Sequence, residues 1–410
     1  MKTRNILLPL LSSLAFLAAA HAPSTALAQE GGGTRSPTRK PQPHPPAWTF
    51  HTDLSAEVEY DDNLFLLRNS VKNRLETNGP ADVASGRFRD MESPTDLLFT
   101  PSLGIELQGP GLGGRDLELS AEIRNPMHTE NPECDYLELS AGLRHALGGR
   151  AGRLGLRINW IPERFTKNYL ADATDPIGPV TDDERVYLAG RYEQLDIIVE
   201  YRLPLVQAPK SGGFSLDGSL EVRLRDRSYD SPFSGRDRES TTFAVALDAG
   251  LSPKASLSFD LSFEDSESPT SAEVMILDEP DYGVIFNGDG DATDYDVRTV
   301  QSTDRSFEEL ALRVGLKLAS GANSDVRLWV KREQTDYRSN LPFDENYRKR
   351  EDDRTTFGVA VETSLGKGLK GRLAAEFASQ DTARPADPGA TGEESDFDRF
   401  LIGLSVSYRW

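Results

Sequence analysis

The stretch Phe400-Leu-Ile-Gly-Leu-Ser-Val-Ser-Tyr-Arg-Trp410 decides the fold. Phe400, Ile402, Leu404, Val406, Tyr408 and Trp410 are apolar at every second position. Gly403, Ser405, Ser407 and Arg409 between them are small or polar, with Leu401 the one exception. A period of two describes a strand with one apolar and one wet face. The pattern repeats upstream: Leu54, Ala56, Val58 and Tyr60 alternate with Ser55, Glu57 and Glu59. Leu117, Leu119, Ala121 and Ile123 alternate with Glu118, Ser120, Glu122 and Arg124. It recurs in 103–107, 136–147, 154–160, 216–224, 243–251, 257–263, 310–318, 326–330, 357–365 and 369–377. Charges at so many alternate positions suit a closed sheet with lipid outside and water inside.

Connections alternate in length. Short Gly-, Ser- or Pro-containing turns lie at 109–114, 148–152, 252–255, 320–324 and 366–368. Long ones lie at 66–94, 162–183, 229–239, 266–305, 338–352 and 382–396. This is the plan of a transmembrane antiparallel up-and-down β-barrel, all-β, with short turns on the periplasmic side. The strand number must be even, and the pattern gives about fourteen. The segment 183–205 leaves sixteen open: one long bulged strand there keeps fourteen, whereas two would require another elsewhere. Thr241-Thr-Phe243 and Thr355-Thr-Phe357 each open a descending strand, as in a degenerate hairpin repeat.

The N-terminal end reads as a secretory signal over 1–28. Lys2 and Arg4 precede an apolar run, and Ala26-Leu27-Ala28 supplies a small-x-small cleavage site before Gln29. Residues 29–47 form a linker in which Gly31 to Gly33 precede Pro37, Pro41, Pro43, Pro45 and Pro46. The barrel then occupies 48–410. The net charge of −20 argues against nucleic acid as a partner. A single cysteine, Cys134, excludes an internal disulfide. Its neighbours Glu133 and Asp135 disfavour a reactive thiolate.

Little in the chain points to catalysis. His51, His128 and His145 are far apart, and no metal-type His spacing or nucleophile elbow accompanies them. Gly109-Pro-Gly-Leu-Gly-Gly114 matches a dinucleotide-binding pattern but precedes a strand rather than a helix, so it reads as a hairpin turn. No cofactor is expected beyond a partial calcium-loop match at Asp289, Asp291 and Asp294. There Ala292 replaces the turn glycine and Arg298 the closing carboxylate, which favours a solvated acidic loop.

The polar parity defines a lumen set: Glu118, Glu122, Arg124, Glu138, Arg144, Arg157, Glu221, Arg223, Arg313, Lys317, Arg327 and Lys331. Acids dominate the early strands and bases gain in the later ones. Opposed walls would set a transverse field across a wet pore. The alternative is that these residues pair between neighbouring strands and fill the lumen. About fourteen strands make a circumference too wide for side chains alone to close.

The terminal strand, with Phe400, Tyr408 and Trp410, resembles the insertion signal of bacterial outer-membrane barrels. The phrase Tyr60-Asp-Asp-Asn-Leu-Phe65 resembles the opening strand of Gram-negative outer-membrane porins, some associated with exopolysaccharide secretion. The resemblance implies a location in outer-membrane lipid and assembly by the barrel-assembly machinery. It also implies a channel for polar solutes, or a barrel assisting surface-polysaccharide export with periplasmic partners. A structural or adhesion barrel with a closed lumen and functional outer loops is the other expectation.

Overall fold

The computed structural model describes residues 48–67, 72–73, 76–77, 92–147, 152–170, 178–180, 187–207, 213–231, 233–269, 271–277, 296–321, 323–341, 347–383 and 396–410. The expected signal and linker, 1–28 and 29–47, lie outside them. Fourteen strands form one ring. They are β1 Thr49–Asp61, β2 Asp96–Pro110, β3 Asp116–Arg124, β4 Glu138–Ala146, β5 Arg153–Leu170, β6 Tyr187–Val206 and β7 Ser215–Tyr229. The ring continues through β8 Arg238–Ser252, β9 Ala255–Glu267, β10 Phe307–Ala319, β11 Ser324–Tyr337, β12 Glu351–Gly366, β13 Leu369–Ala383 and β14 Phe397–Arg409. Each pairs antiparallel with the next. β1 closes the ring by pairing with both neighbours, Leu54 standing opposite Tyr408 on one side and Leu103 on the other.

The uncertain 183–205 segment is one strand, β6. Its pairing with β5 shifts register between Ile161 and Arg164 and again between Phe165 and Lys167. Both shifts place an extra residue on β5, and β6 carries its own at Pro204–Val206 against β7. From Tyr192 to Pro204 β6 pairs with β7 without a break, so the slip in apolar phase is an inward, buried Tyr192 followed by an outward Ile197. Sixteen strands are thereby excluded.

Followed from partner to partner, the registers carry Leu54 through Leu103, Ile123, Leu139, Trp160 and Leu195. They return to β1 displaced by about 16 residues; with ~3.3 Å per residue and ~4.7 Å between strands, that tilts the strands by about 40°. The same geometry gives a backbone radius of about 13 Å, wider than inward side chains of ordinary length can fill.

The two rims differ as barrel chemistry requires. At the short-turn rim, Lys367 and Gly368 form a two-residue hairpin with φ of +47° and +86°. Positive φ at both central positions matches the strand twist, and a Cβ at Gly368 would collide with the Arg409 carbonyl. At the other rim, the expected long loop 266–305 contains extra structure. Ser271–Leu277 pairs with Asp296–Thr303, and Gly178–Val180 adds to the latter. This pairing satisfies backbone groups beyond the ring, and Val274, Ile276, Val297 and Val300 favour it. A two-residue strand, Met127–His128, also pairs with β2 after Asn125-Pro126 interrupts β3. Proline has no N–H to continue the ladder.

The outward face is apolar around the ring. Leu54, Val58, Leu103, Ile158, Leu220, Leu261, Leu312, Val359 and Leu404 are all exposed. Exposed apolar surface on this scale requires a nonaqueous surrounding. A girdle bounds it at the long-loop end, where Phe243 faces Phe263 and Phe377 lies between Phe357 and Phe400. The Thr-Thr-Phe repeat places two of these aromatics. Just beyond the girdle the outward positions become carboxylates: Glu239 stands between Asp226 and Glu267, and Glu308 between Asp265 and Asp336. Opposed like charges are tolerable only in water or among headgroups, so this switch marks the edge of the hydrocarbon.

Candidate functional site

The inward face is the candidate site. Register assigns Glu118, Glu122, Arg124, Glu138, Arg144, Arg157, Glu221, Arg223, Arg313, Lys317, Arg327 and Lys331 to it, opposite the apolar parity on each strand. Most lie in ion pairs with residues on the same or an adjacent strand. Arg144 Nη1 is 2.7 Å from Glu118, Arg124 Nη1 is 3.3 Å from Glu138, and Arg223 Nη2 is 2.9 Å from Glu221. Lys317 pairs with Asp325 at 2.8 Å, Arg327 with Glu362 at 3.2 Å and Lys331 with Glu333 at 2.5 Å. Arg313 instead lies over the Trp329 ring at 5.2 Å. That indole rests on Gly358, where a Cβ would overlap it.

Two separate charged walls are therefore not what forms. Carboxylates do crowd the early strands, but bases reach over them from the last two. Arg409 lies 2.7 Å from Glu106, and Arg372 lies 3.9 Å from Glu57. Local pairing shortens the field and leaves Glu122 and Arg157 with no oppositely charged partner in ion-pair range among the described residues.

The interior changes along its axis. Towards the short-turn rim a cavity of about 1060 Å³ is bordered by Arg153, Asp217, Glu221, Arg223, Asp260 and Lys331, among others. Towards the long-loop rim the inward side chains are buried, including Asp61, Asp96, Tyr192, Asp196, Ser266, Phe307, Asp352 and Phe397. Loop residues cover several of them. Asp96 accepts hydrogen bonds from the backbone N–H groups of Thr129, Glu130 and Asn131 and from the Asn131 amide. Sequence reasoning missed this anchor because the partners meet only after the loop folds back.

Cys134 is buried in that segment, and its thiol is pushed up to about 12 by burial, then by Glu133 and Asp96. His128 is held below the ordinary imidazole range by burial, partly offset by Asp96 and by Asp135, whose carboxylate is 3.3 Å away. His51 lies inward near the short-turn rim and His145 outward on β4. Among the described residues, no cluster of three His, Cys, Asp or Glu side chains could hold a metal. Asp289, Asp291 and Asp294 lie outside the described residues. Of the terminal aromatics, Phe400 belongs to the girdle, and Tyr408 stacks on Trp410 with ring centres 5.5 Å apart. Trp410 exchanges two backbone hydrogen bonds of 3.1 Å with Thr52.

No protein-family model and no curated protein matches the chain. Solved structures similar to it include an anion-selective porin from Comamonas acidovorans, at 8% identity and a TM-score of 0.39, covering 89% of this chain and 99% of that one. The outer-membrane channel DcaP of Acinetobacter baumannii is similar at 11% identity and a TM-score of 0.39, covering 88% and 97%. A bacterial polysaccharide outer-membrane secretin is similar at 10% identity and a TM-score of 0.36, covering 88% and 98%. The chain's own geometry carries the conclusion: a closed ring, a lipid-compatible exterior with an aromatic girdle, and a charged interior with a cavity. It is a porin-like β-barrel of the outer membrane.

Proposed function

We propose that this barrel is a channel for polar solutes. The cavity of about 1060 Å³, bordered by charged side chains and continuous with the short-turn rim, carries the reading. Inward charges on so many strands need either a partner or water, and an aqueous interior within an apolar shell is the physical requirement for conduction. Paired charges along the walls replace part of a solute's hydration without trapping it. The test is swelling of liposomes containing the purified protein. Small neutral and charged sugars should enter, and a long polymer should not.

The buried long-loop half of the interior supports a second reading, a barrel whose lumen is closed and whose outer loops act. Liposomes that stay impermeable to every solute while holding correctly inserted protein would favour it. A narrower form of the channel reading is assistance to surface-polysaccharide export. Under it, deletion of the gene removes surface polymer and leaves small-solute uptake unchanged.

A further inference from the structure

The outer mouth holds two guanidinium groups that no carboxylate among the described residues answers. Arg227 on β7 and Arg238 on β8 are direct cross-strand partners on the inward face. Like charges in that relation repel. The acids beside them are engaged elsewhere: Asp196 takes Arg225 at 2.9 and 3.2 Å, and Asp352 takes Arg350 at 2.7 Å through both oxygens. Arg227 donates to the Gln194 amide oxygen at 2.9 Å. Among the described residues Arg238 makes no hydrogen bond or ion pair, and the Nε of each is enclosed without a partner.

Aromatic rings hold both groups. Arg227 lies over Tyr192 at 4.5 Å, and Arg238 lies over Phe307 at 5.0 Å. The rings form two linked sets: Tyr192 with Tyr229 at 5.3 Å, and Phe307 with Tyr337 at 5.8 Å. A guanidinium held over a ring by its cation–π contact need not spend all its N–H groups there, and its planar fork matches the two oxygens of a carboxylate. Tyr192 and Phe307 are buried, and the half-buried Tyr229 and Tyr337 next to them offer apolar surface to the body of an organic molecule.

We infer that Arg227 and Arg238, framed by Tyr192, Tyr229, Phe307 and Tyr337, form a site for an organic carboxylate entering the barrel. A carboxylated sugar such as a hexuronate has both features: an anion for the paired guanidiniums and C–H faces for the rings. As an entry site it rests on the channel reading. Binding itself needs no conduction, so the two can fail separately.

The test is calorimetric titration of the folded, detergent-solubilised full-length protein with glucuronate, glucose and inorganic phosphate. Glucuronate should bind and glucose should not. R227Q and R238Q should each weaken glucuronate at least about tenfold, the loss expected for one charge-assisted contact. R238Q should keep or raise the unfolding temperature, because it relieves a like-charge contact. A merely structural arginine would instead lose stability on substitution without any change in binding. Absence of glucuronate binding, equal binding of glucose, or unchanged binding in both variants would overturn the site. Tighter binding of phosphate than of glucuronate would overturn the organic carboxylate as its ligand.

Discussion

Arg399 holds both carboxylate oxygens of Asp61, its Nε lying 3.0 Å from Oδ1 and 3.1 Å from Oδ2. The pair joins the last strand of the ring to the end of the first. Asp61 also accepts the Asn63 backbone N–H at 2.9 Å, and the Asn63 amide donates to the carbonyls of Leu67 at 2.8 Å and Asp398 at 2.9 Å. Asp62 accepts the Phe400 backbone N–H at 2.5 Å. The Tyr-Asp-Asp-Asn phrase is thus a clasp across the seam.

Asp61→Ala should destabilise the barrel by about 3 kcal/mol, because it strands a largely buried guanidinium. Urea unfolding followed by heat-modifiable gel mobility measures this. A change below about 1 kcal/mol, the scale of an exposed pair, would show that the clasp does not secure the seam.

Facing along β9 gives a paired comparison. Leu261 is exposed on the outward parity, whereas Ser262 borders the cavity. Leu261→Arg should cost roughly 2–4 kcal/mol if it lies near the bilayer midplane, and Ser262→Arg should be tolerated. Equal damage at both positions would mean a sheet covered on two sides.

The 127–135 segment should report its own anchoring. Asn131→Ala removes amide hydrogen bonds to Ser93 O at 3.0 Å and Asp96 Oδ2 at 2.7 Å. Cys134 should then react with maleimide at least about tenfold faster, as its thiol moves from about 12 towards its ordinary value of about 8.5. His128 adds a pH dependence. Its folded pKa is depressed, so the folded segment prefers the neutral ring. That preference is fully present above the unfolded value of about 6.5 and is lost as pH falls through it towards the folded value. Hydrogen exchange of 128–135, corrected for intrinsic rate, should accelerate between pH 7.5 and about 5.5. An unchanged corrected rate would remove His128 from the anchoring.

Charge selectivity should follow the local pairs. Glu118→Gln frees Arg144, which should move ion preference towards anions, and the shift should shrink as salt rises to about 1 M and the Debye length falls to ~3 Å. Reversal potentials measure it. A shift towards cations would contradict the pairing.

The strands were readable in the sequence because their alternation is long and one-sided: Leu257, Phe259, Leu261 and Phe263 need only a period of two. Inward parity followed from the same count, as with Glu118 and Arg144. Partners across the seam were not readable, since Asp61 and Arg399 meet only when the ring closes. The Arg227–Arg238 contact likewise depends on the β7–β8 register. The Ser271–Leu277 pairing escaped notice because an unbroken Val-Met-Ile-Leu run has no period to count.

Single-channel recording in a planar bilayer tests the central claim most directly. Inserted wild-type protein should open discrete ion-conducting steps. Gly358→Val should reduce their size, because its side chain displaces the Trp329 ring from the wall into the lumen. Protein that inserts, shows the heat-modifiable mobility of a folded barrel and yet conducts nothing would contradict a water-filled channel.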